Sequence, residues 1–394
     1  MQVDPILGPT ALALFVIFGV GLALSLLRQP HVVAYVVAGV VLGPSGLGVV
    51  AGGEAVDRLG ALGVTLLLFF VGMDTHPTRL IQGWRVSVVG TLLQVAACVG
   101  LGFAIGAVFG WNPERALLLG FVISLSSTAV VLGLLEEAGE TQTPFGQDTI
   151  GVLIVQDIAA IGMILALGLL VMGGEALSPL DIAKQAAGAA GLVALIIWIA
   201  RGRPVRLPFR SSVARAPELQ VFGALTLCFG LGWISSSLGL STALGAFAGG
   251  LVVGASRDTG WVSGALAPFR TVFLGLFFVG VGLTLDLRFV AERALPIAAL
   301  VAAVLASSQV FNTLIYRTAG YGWRRSIYAG ALLAQPGEFS FVLAAMGASV
   351  GIITGVGYQL ALSVIAISLT ISPLQVRLLR RLLRPEADPA PLRT

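Results

Sequence analysis

Apolar residues in this chain fall in long blocks separated by short polar or basic segments. About 20 apolar residues are needed for a helix to cross a hydrocarbon layer of ~30 Å. Turn and charge signals divide the blocks into thirteen predicted spans: 6–27, 31–44, 57–74, 84–109, 113–135, 147–173, 184–200, 216–238, 241–255, 268–285, 290–316, 325–348 and 355–376. Two of them, 31–44 and 241–255, are too short to cross comfortably, so they are expected to be buried among other helices. Gly102, Gly106 and Gly110 recur every four residues in the fourth span, a spacing that suits close helix packing.

Composition agrees with the pattern. Of the 394 residues, 57% are hydrophobic and 11% charged, against about 25% charged in soluble domains. The chain therefore reads as an all-α polytopic membrane protein whose main partner is the lipid bilayer. No Lys or Arg occurs in the first ten residues, so the first helix is expected to be retained and not cleaved as a signal peptide. Cys98 and Cys228 lie inside apolar runs and imply neither a disulfide framework nor a thiolate metal site. His31 and His76 sit at span ends, where an interfacial role outweighs a ligand role. No G-x-G-x-x-G occurs, and the sole lysine, Lys184, precedes Gln185, so no P-loop exists. Enzyme chemistry and a bound cofactor are not expected. Nor is nucleic-acid binding, because the net charge of +4 sits in loops and reads as topology. On the thirteen-span scheme one side holds 18 of the 23 Lys and Arg residues, among them Arg201, Arg203, Arg206, Arg210 and Arg215. The positive-inside rule then places the C-terminus in the cytoplasm and the N-terminus outside a bacterial-type inner membrane.

The chain repeats itself. Leu68–Gly72 (LFFVG) recurs as Leu276–Gly280, an offset of 208, and AGVVLG at 38–43 resembles AGGLVVG at 248–254. Ser126-Ser127-Thr128-Ala129 in span five maps at the same offset of 208 onto Ala334-Gln335-Pro336-Gly337 in span twelve. Spans one to six (1–182) therefore repeat as spans eight to thirteen (216–376). Residues 183–215 form a linker helix and basic loop, and 377–394 a basic, lipid-facing tail. A single linker span makes the second repeat inverted, which puts the substrate site near the midplane between discontinuous helices. Pro336 lacks an N–H and Gly337 is a weak helix former, so span twelve should break at Gln335-Pro336-Gly337 and free backbone carbonyls. In span five, the hydroxyls of Ser124, Ser126, Ser127 and Thr128 can bond freed carbonyls or a cation.

One carboxylate stands out within span six. Asp157 is the only charged residue between Asp148 and Glu175. A carboxylate at the centre of a membrane helix costs roughly 2.5–3.5 kcal/mol on insertion scales and usually marks an ion or proton path. Gln156 beside it can orient the carboxylate or offer an oxygen to a cation. Desolvation moves a carboxylate up from its exposed pKa of about 3.9, so that proton and cation compete for one anion. Dehydrated K⁺ or Na⁺ needs replacement oxygens, which Asp157, Thr128, Ser127 and freed carbonyls can supply. Glu338 in span twelve is a second midplane carboxylate, open between a proton site and a structural role. Asp74 and Asp286 read as helix caps or partners of Arg79 and Arg288, and Glu136, Glu137 and Glu140 as a solvated helix end or a cation-attracting mouth.

AYVVAGVVLGPSGL (34–47), LLLFFVGMD (66–74), SLSSTAVVLGLL (124–135), VQDIAAI (155–161), STALGAFAGGLVVG (241–254), APFRTVFLGLFFVGVGLTLD (267–286) and AQPGEFSFVL (334–343) carry a resemblance. Together they resemble the membrane domain of the Kef-type branch of monovalent cation:proton antiporters, over essentially all thirteen spans. The resemblance implies a sodium/proton antiporter-like fold and a homodimer in which spans 1–3 and 8–10 form the dimer domain. It also implies a core domain around crossed, broken spans 5 and 12, working by alternating access, with Asp157 binding cation and proton in turn. Kef-type proteins continue into a soluble nucleotide-binding domain, whereas this sequence ends 18 residues after its last span, so a separate regulatory subunit stays open as a partner. A basic residue common in the eleventh span of the wider superfamily is replaced by Leu305-Ala306-Ser307-Ser308-Gln309. None of these side chains changes charge, which points to electroneutral one-for-one exchange. A channel-like K⁺ efflux pathway and a sodium-coupled symporter of a small organic solute remain as alternatives.

Overall fold

The computed structural model describes residues 7–27, 29–50, 54–74, 85–172, 216–238, 242–255 and 260–383, together with 184, 187, 188, 190, 191, 194, 195 and 198. Its helices are α1 (Leu7–Leu26), α2 (His31–Leu42), α3 (Glu54–Asp74), α4 (Gly90–Phe109, entered through a π turn at Arg85–Val89), α5 (Pro113–Ser124), α6 (Thr128–Ala138), α7 (Pro144–Met172), α8 (Pro217–Ser237), α9 (Thr242–Ala255), α10 (Gly260–Thr284), α11 (Leu287–Glu292), α12 (Ala294–Thr318), α13 (Trp323–Leu332), α14 (Glu338–Ser349) and α15 (Gly355–Leu383). Seven helices among the described residues are long and apolar enough to cross a membrane. The chain is an all-α, multi-pass membrane protein.

Helix ends follow local chemistry. Proline at the first helical position opens α5 and α8, where the missing N–H would have no partner in any case. Asn112 caps α5 by accepting from the Arg115 N–H (3.2 Å). Asp286 opens α11, its Oδ1 accepting from the N–H groups of Arg288 (2.8 Å) and Phe289 (3.2 Å). Span eleven is thus a short capped turn followed by α12. The last helix runs to Leu383, further than the predicted 376, because Arg377 and Arg380 reach across to Glu137 (2.9 Å) and the Ala138 carbonyl (3.2 Å). Helix α10 starts at Gly260, eight residues before the predicted 268, with Pro268 accommodated inside it. The side chains of Asp74 and Arg79, most of span seven and the basic loop 201–215 lie outside the described residues.

Two compact units emerge. One comprises residues 54–81 and 161–277. In it α9 packs on α3 and α8, around a core of Leu66, Phe69, Phe70, Met73, Ala224, Cys228 and Ala246. The contact is backbone-close: a Cβ on Gly250 would strike the Phe69 carbonyl, and one on Gly72 the Phe247 carbonyl. The short α9 is accordingly buried along Ala246, Phe247, Leu251 and Val253.

The other unit comprises residues 1–53, 82–160 and 278–394. Here α4 packs on α5 and α12, and α14 on α5 and α15. Cys98, Ile123, Ile297, Val301, Leu305, Ala334 and Val364 form its core. Gly102 and Gly106 lie against Ala116 of α5, where a Cβ would collide, while Gly110 ends α4 in a left-handed conformation (φ 64°). Spans one and two belong to this unit and do not group with spans three, eight and nine. The reason is local: Gly39 of α2 abuts Val279 and Gly282, and Ser45 Oγ donates to the Leu285 carbonyl (3.1 Å).

Candidate cation and proton site

Spans five and twelve are each cut in two, as their sequences predict. Helix α5 stops at Ser124 and α6 starts at Thr128; α13 stops at Leu332 and α14 starts at Glu338. The first gap holds three residues and the second five. The repeat offset therefore passes from 208 at the helix stops to 210 at the restarts, and the counterpart of Thr128 is Glu338. The two extended gaps cross as an isolated antiparallel bridge between Ser126 and Pro336. The Gly337 N–H donates to the Leu125 carbonyl (2.8 Å). A Cβ at Gly337 would sit 2.6 Å from the Ser126 carbonyl oxygen, so only glycine permits this approach.

A broken helix in lipid must satisfy its freed carbonyls. Neutral side chains do so here. Gln94 Nε2 donates to Ser124 O (3.0 Å), Ser308 Oγ to Ile123 O (3.3 Å) and Ser340 Oγ to Val122 O (2.6 Å). Across the crossing, Ser126 Oγ donates to Leu333 O (2.8 Å) and Gln335 Nε2 to Leu332 O (3.0 Å). Gln335 Oε1 in turn accepts from Ser372 Oγ (2.6 Å), and Asn312 Nδ2 reaches Leu333 O at 3.5 Å. The eleventh span thus contributes Ser308 and Asn312 as uncharged donors.

Gln156 belongs to this scaffold. Its Oε1 accepts from the Ser126 N–H (2.9 Å) and its Nε2 donates to Gln94 Oε1 (2.7 Å), with all three residues buried. Asp157, the next residue on α7, turns instead to the start of α6: Thr128 Oγ1 donates to both its carboxylate oxygens, at 3.1 and 3.3 Å. Ser127 caps α6, accepting from the Val130 N–H (3.4 Å), and donates to Glu338 Oε2 (3.2 Å).

The predicted residues thus separate into two sets. Ser126, Ser127, Gln156 and Gln335 are buried, whereas Thr128, Asp157 and Glu338 are half-buried. Thr128 and Glu338 are the first residues of α6 and α14, whose N-terminal dipole ends favour negative charge beside them. Asp157 lies against one such end and Glu338 sits on the other. Among the described residues no group of three or more His, Cys, Asp and Glu could hold a metal ion. The scaffold residues Gln94, Ser308, Asn312, Ser340 and Ser372 were not anticipated. Gln94 had a signal, being the one amide in the fourth span, where it is followed by fifteen residues without a charged or amide side chain.

Glu140 does not form a solvated helix end. Its Oε1 meets Arg325 Nη1 at 2.9 Å, with side chains 14% and 6% exposed. The guanidinium lies 4.0 Å over the Phe145 ring. Beside it the Tyr321 hydroxyl donates to Asp148 Oδ2 (2.7 Å), and burial pushes that phenol well up.

The sequence matches the family described as "Sodium/hydrogen exchanger, transmembrane" over residues 11–380. It is 38% identical over 358 residues to the "Iron transporter MagA" of Paramagnetospirillum magneticum, covering 91% of this chain and 82% of that protein. It is 33% identical over 356 residues to the "Glutathione-regulated potassium-efflux system protein KefC" of Salmonella heidelberg. That match covers 89% of this chain but 57% of KefC, so the chain spans little more than half of that relative. In structure it resembles the sodium proton antiporter MjNhaP1 of Methanocaldococcus jannaschii, with a TM-score of 0.66 and 16% identity over 95% of this chain and 98% of that one. The last likeness concerns fold, and it identifies the architecture of crossed, discontinuous helices as sodium/proton antiporter-like. With the family match running through nearly all of the helices, and its sequence relatives named as transport proteins, the chain belongs to the sodium/hydrogen exchanger family, a family of transporters and not of enzymes.

Proposed function

We propose that this chain exchanges a monovalent cation, K⁺ or Na⁺, for protons by alternating access, with Asp157 as the group both ions share. The observation that carries the reading is the Thr128–Asp157 pair beside the bridged crossing. The carboxylate supplies the charge, and the Thr128 hydroxyl, now donating to it, can turn a lone pair toward an arriving cation. The carbonyls of Val122, Ile123, Ser124, Leu125, Leu332 and Leu333 accept from protein donors, and the half-buried oxygens of Asp157 and Thr128 stand beside the break to help replace a hydration shell. One carboxylate cannot hold proton and cation at once, which couples their movements without a separate gate for each.

Exchange is one-for-one and moves no net charge, because Ser307, Ser308 and Gln309 stand where a titrating base could otherwise serve. The relatives are named for cation transport, which supports a cation cargo, and potassium efflux in KefC and sodium–proton antiport in MjNhaP1 bracket the choice. We assign 1–182 and 216–376 as inverted repeats, a homodimer in the inner membrane, an external N-terminus and a cytoplasmic C-terminus. The test uses proteoliposomes with an acid interior and a pH-sensitive dye. Adding K⁺ or Na⁺, with no organic solute, should dissipate the gradient; a requirement for an organic solute would overturn the reading. Na⁺-driven flux under a K⁺/valinomycin clamp should not change with imposed voltage. If it does, and Glu338→Gln removes the dependence, a second proton resides on Glu338.

A further inference from the structure

Beside the broken helices α5 and α14 the structure holds a second feature that cation exchange does not use, and the helix bearing Asp157 does not line it. A cavity of about 410 Å³ opens among α4, α5, α12, α14 and α15. Its inner end touches Pro336 and Ala344, and Val304 and Leu360 line its sides. Ser307, one of its few polar lining residues, already donates to the Val304 carbonyl (3.1 Å). A space so lined stays dry, because water would find no partners there.

The mouth is different. Arg115 and Trp111 line it, with the guanidinium 4.2 Å over the indole ring. Among the described residues this guanidinium meets no carboxylate. Around the mouth Val108 and Phe109 are 80% and 68% exposed, as surfaces facing acyl chains are. Arg115 lies nine residues before Ser124 on α5, so the mouth stands about 14 Å from the break. That is about the depth of one leaflet of a ~30 Å hydrocarbon layer. Size, lining, depth and the single cation at the rim match one class of ligand.

We propose that this cavity holds one acyl chain of an anionic phospholipid drawn from the surrounding bilayer, with its phosphate on Arg115. The chain fills the space down to Pro336, and the Trp111 ring keeps the guanidinium at the rim.

The test is native mass spectrometry of the delipidated full chain, titrated separately with dioleoylphosphatidylglycerol, dioleoylphosphatidylcholine and free oleate. One phosphatidylglycerol per protomer should be retained, with about fivefold preference over phosphatidylcholine, the effect of one cation beside an anionic headgroup. Arg115→Gln should erase the preference and leave residual binding. Ala303→Phe, or Ala361→Leu if the first variant folds poorly, should fill the cavity and abolish the stoichiometric event. Equal retention in wild type, Arg115→Gln and a filled variant would mean annular lipid only and would overturn the proposal. So would oleate displacing phosphatidylglycerol, which would make the ligand a free fatty acid. These readouts do not involve transport, so their failure leaves the assignment of Asp157 untouched.

Discussion

Gln156 was a candidate cation ligand from its place beside Asp157, and its geometry argues for a strut instead. Gln156→Leu keeps the volume and removes the amide. It leaves the Ser126 N–H and Gln94 Oε1 without the partners now found at 2.9 and 2.7 Å, at positions 4% and 1% exposed. Each buried orphan costs about 1–3 kcal/mol, so the variant should lose about 2–6 kcal/mol. Gln94→Leu orphans Gln156 Nε2 and the Ser124 carbonyl and should lose a similar amount. The double variant leaves only the Ser126 N–H and the Ser124 carbonyl unpaired. It should therefore cost less than the sum of the single losses by about 2–6 kcal/mol. Thermal unfolding of the four proteins in detergent measures this. Each single variant should melt about 2–7 °C below wild type, while protein that stays folded keeps an apparent KM for the cation within about threefold of wild type, because the Gln156 amide is already held by Ser126 and Gln94. Additive losses would refute the strut. So would an unchanged melting temperature with a KM raised more than about tenfold, which would return Gln156 to the cation.

Thr128→Val removes the hydroxyl oxygen that turns to the arriving cation, a contact comparable to a hydrogen bond to a charged group at about 1.5–3 kcal/mol, so the apparent KM should rise about 10- to 100-fold, with Thr128→Ser close to wild type in the same flux assay. Gly337→Ala pushes a Cβ into the Ser126 carbonyl at 2.6 Å and should lower both transport and melting temperature, whereas Gly133→Ala, with open space around it, should leave both unchanged. Arg325→Met strands Glu140 in buried surroundings and should cost about 3–5 kcal/mol; Arg325→Met with Glu140→Gln should recover much of that loss in the same melt.

Which parts of this structure were legible from the chain follows from how local each cause is. Pro336 and Gly337 cannot continue a helix, and that break falls where it was predicted. The break at Ser124–Thr128 has no proline and was visible only through its repeat partner, because serine and threonine are tolerated inside membrane helices. The offset of 208 hid the two extra residues of the second gap, so Thr128 could not be matched with Glu338 until the helix ends were seen. Burial of the short α2 and α9 followed from length alone. Side-chain direction did not: Gln156 and Asp157 are adjacent, yet successive residues on a helix point about 100° apart, and only the packing of α7 shows which faces the crossing. Long-range donors such as Ser308, Asn312 and Ser372 escaped because nothing near them in sequence specifies the carbonyl they reach. Glu140 was misread as solvated for the same reason, since its partner Arg325 lies 185 residues away.

The central claim is that Asp157 carries cation and proton in turn. Its most direct test is cation-driven proton flux in proteoliposomes of Asp157→Asn beside wild type. Asparagine keeps the size of the side chain and an acceptor for the Thr128 hydroxyl, so the variant should fold and melt within a few degrees of wild type. The account predicts that K⁺- and Na⁺-dependent proton release falls to the level of empty vesicles at every pH where wild type is active. Saturable, cation-dependent flux in that folded variant would contradict it.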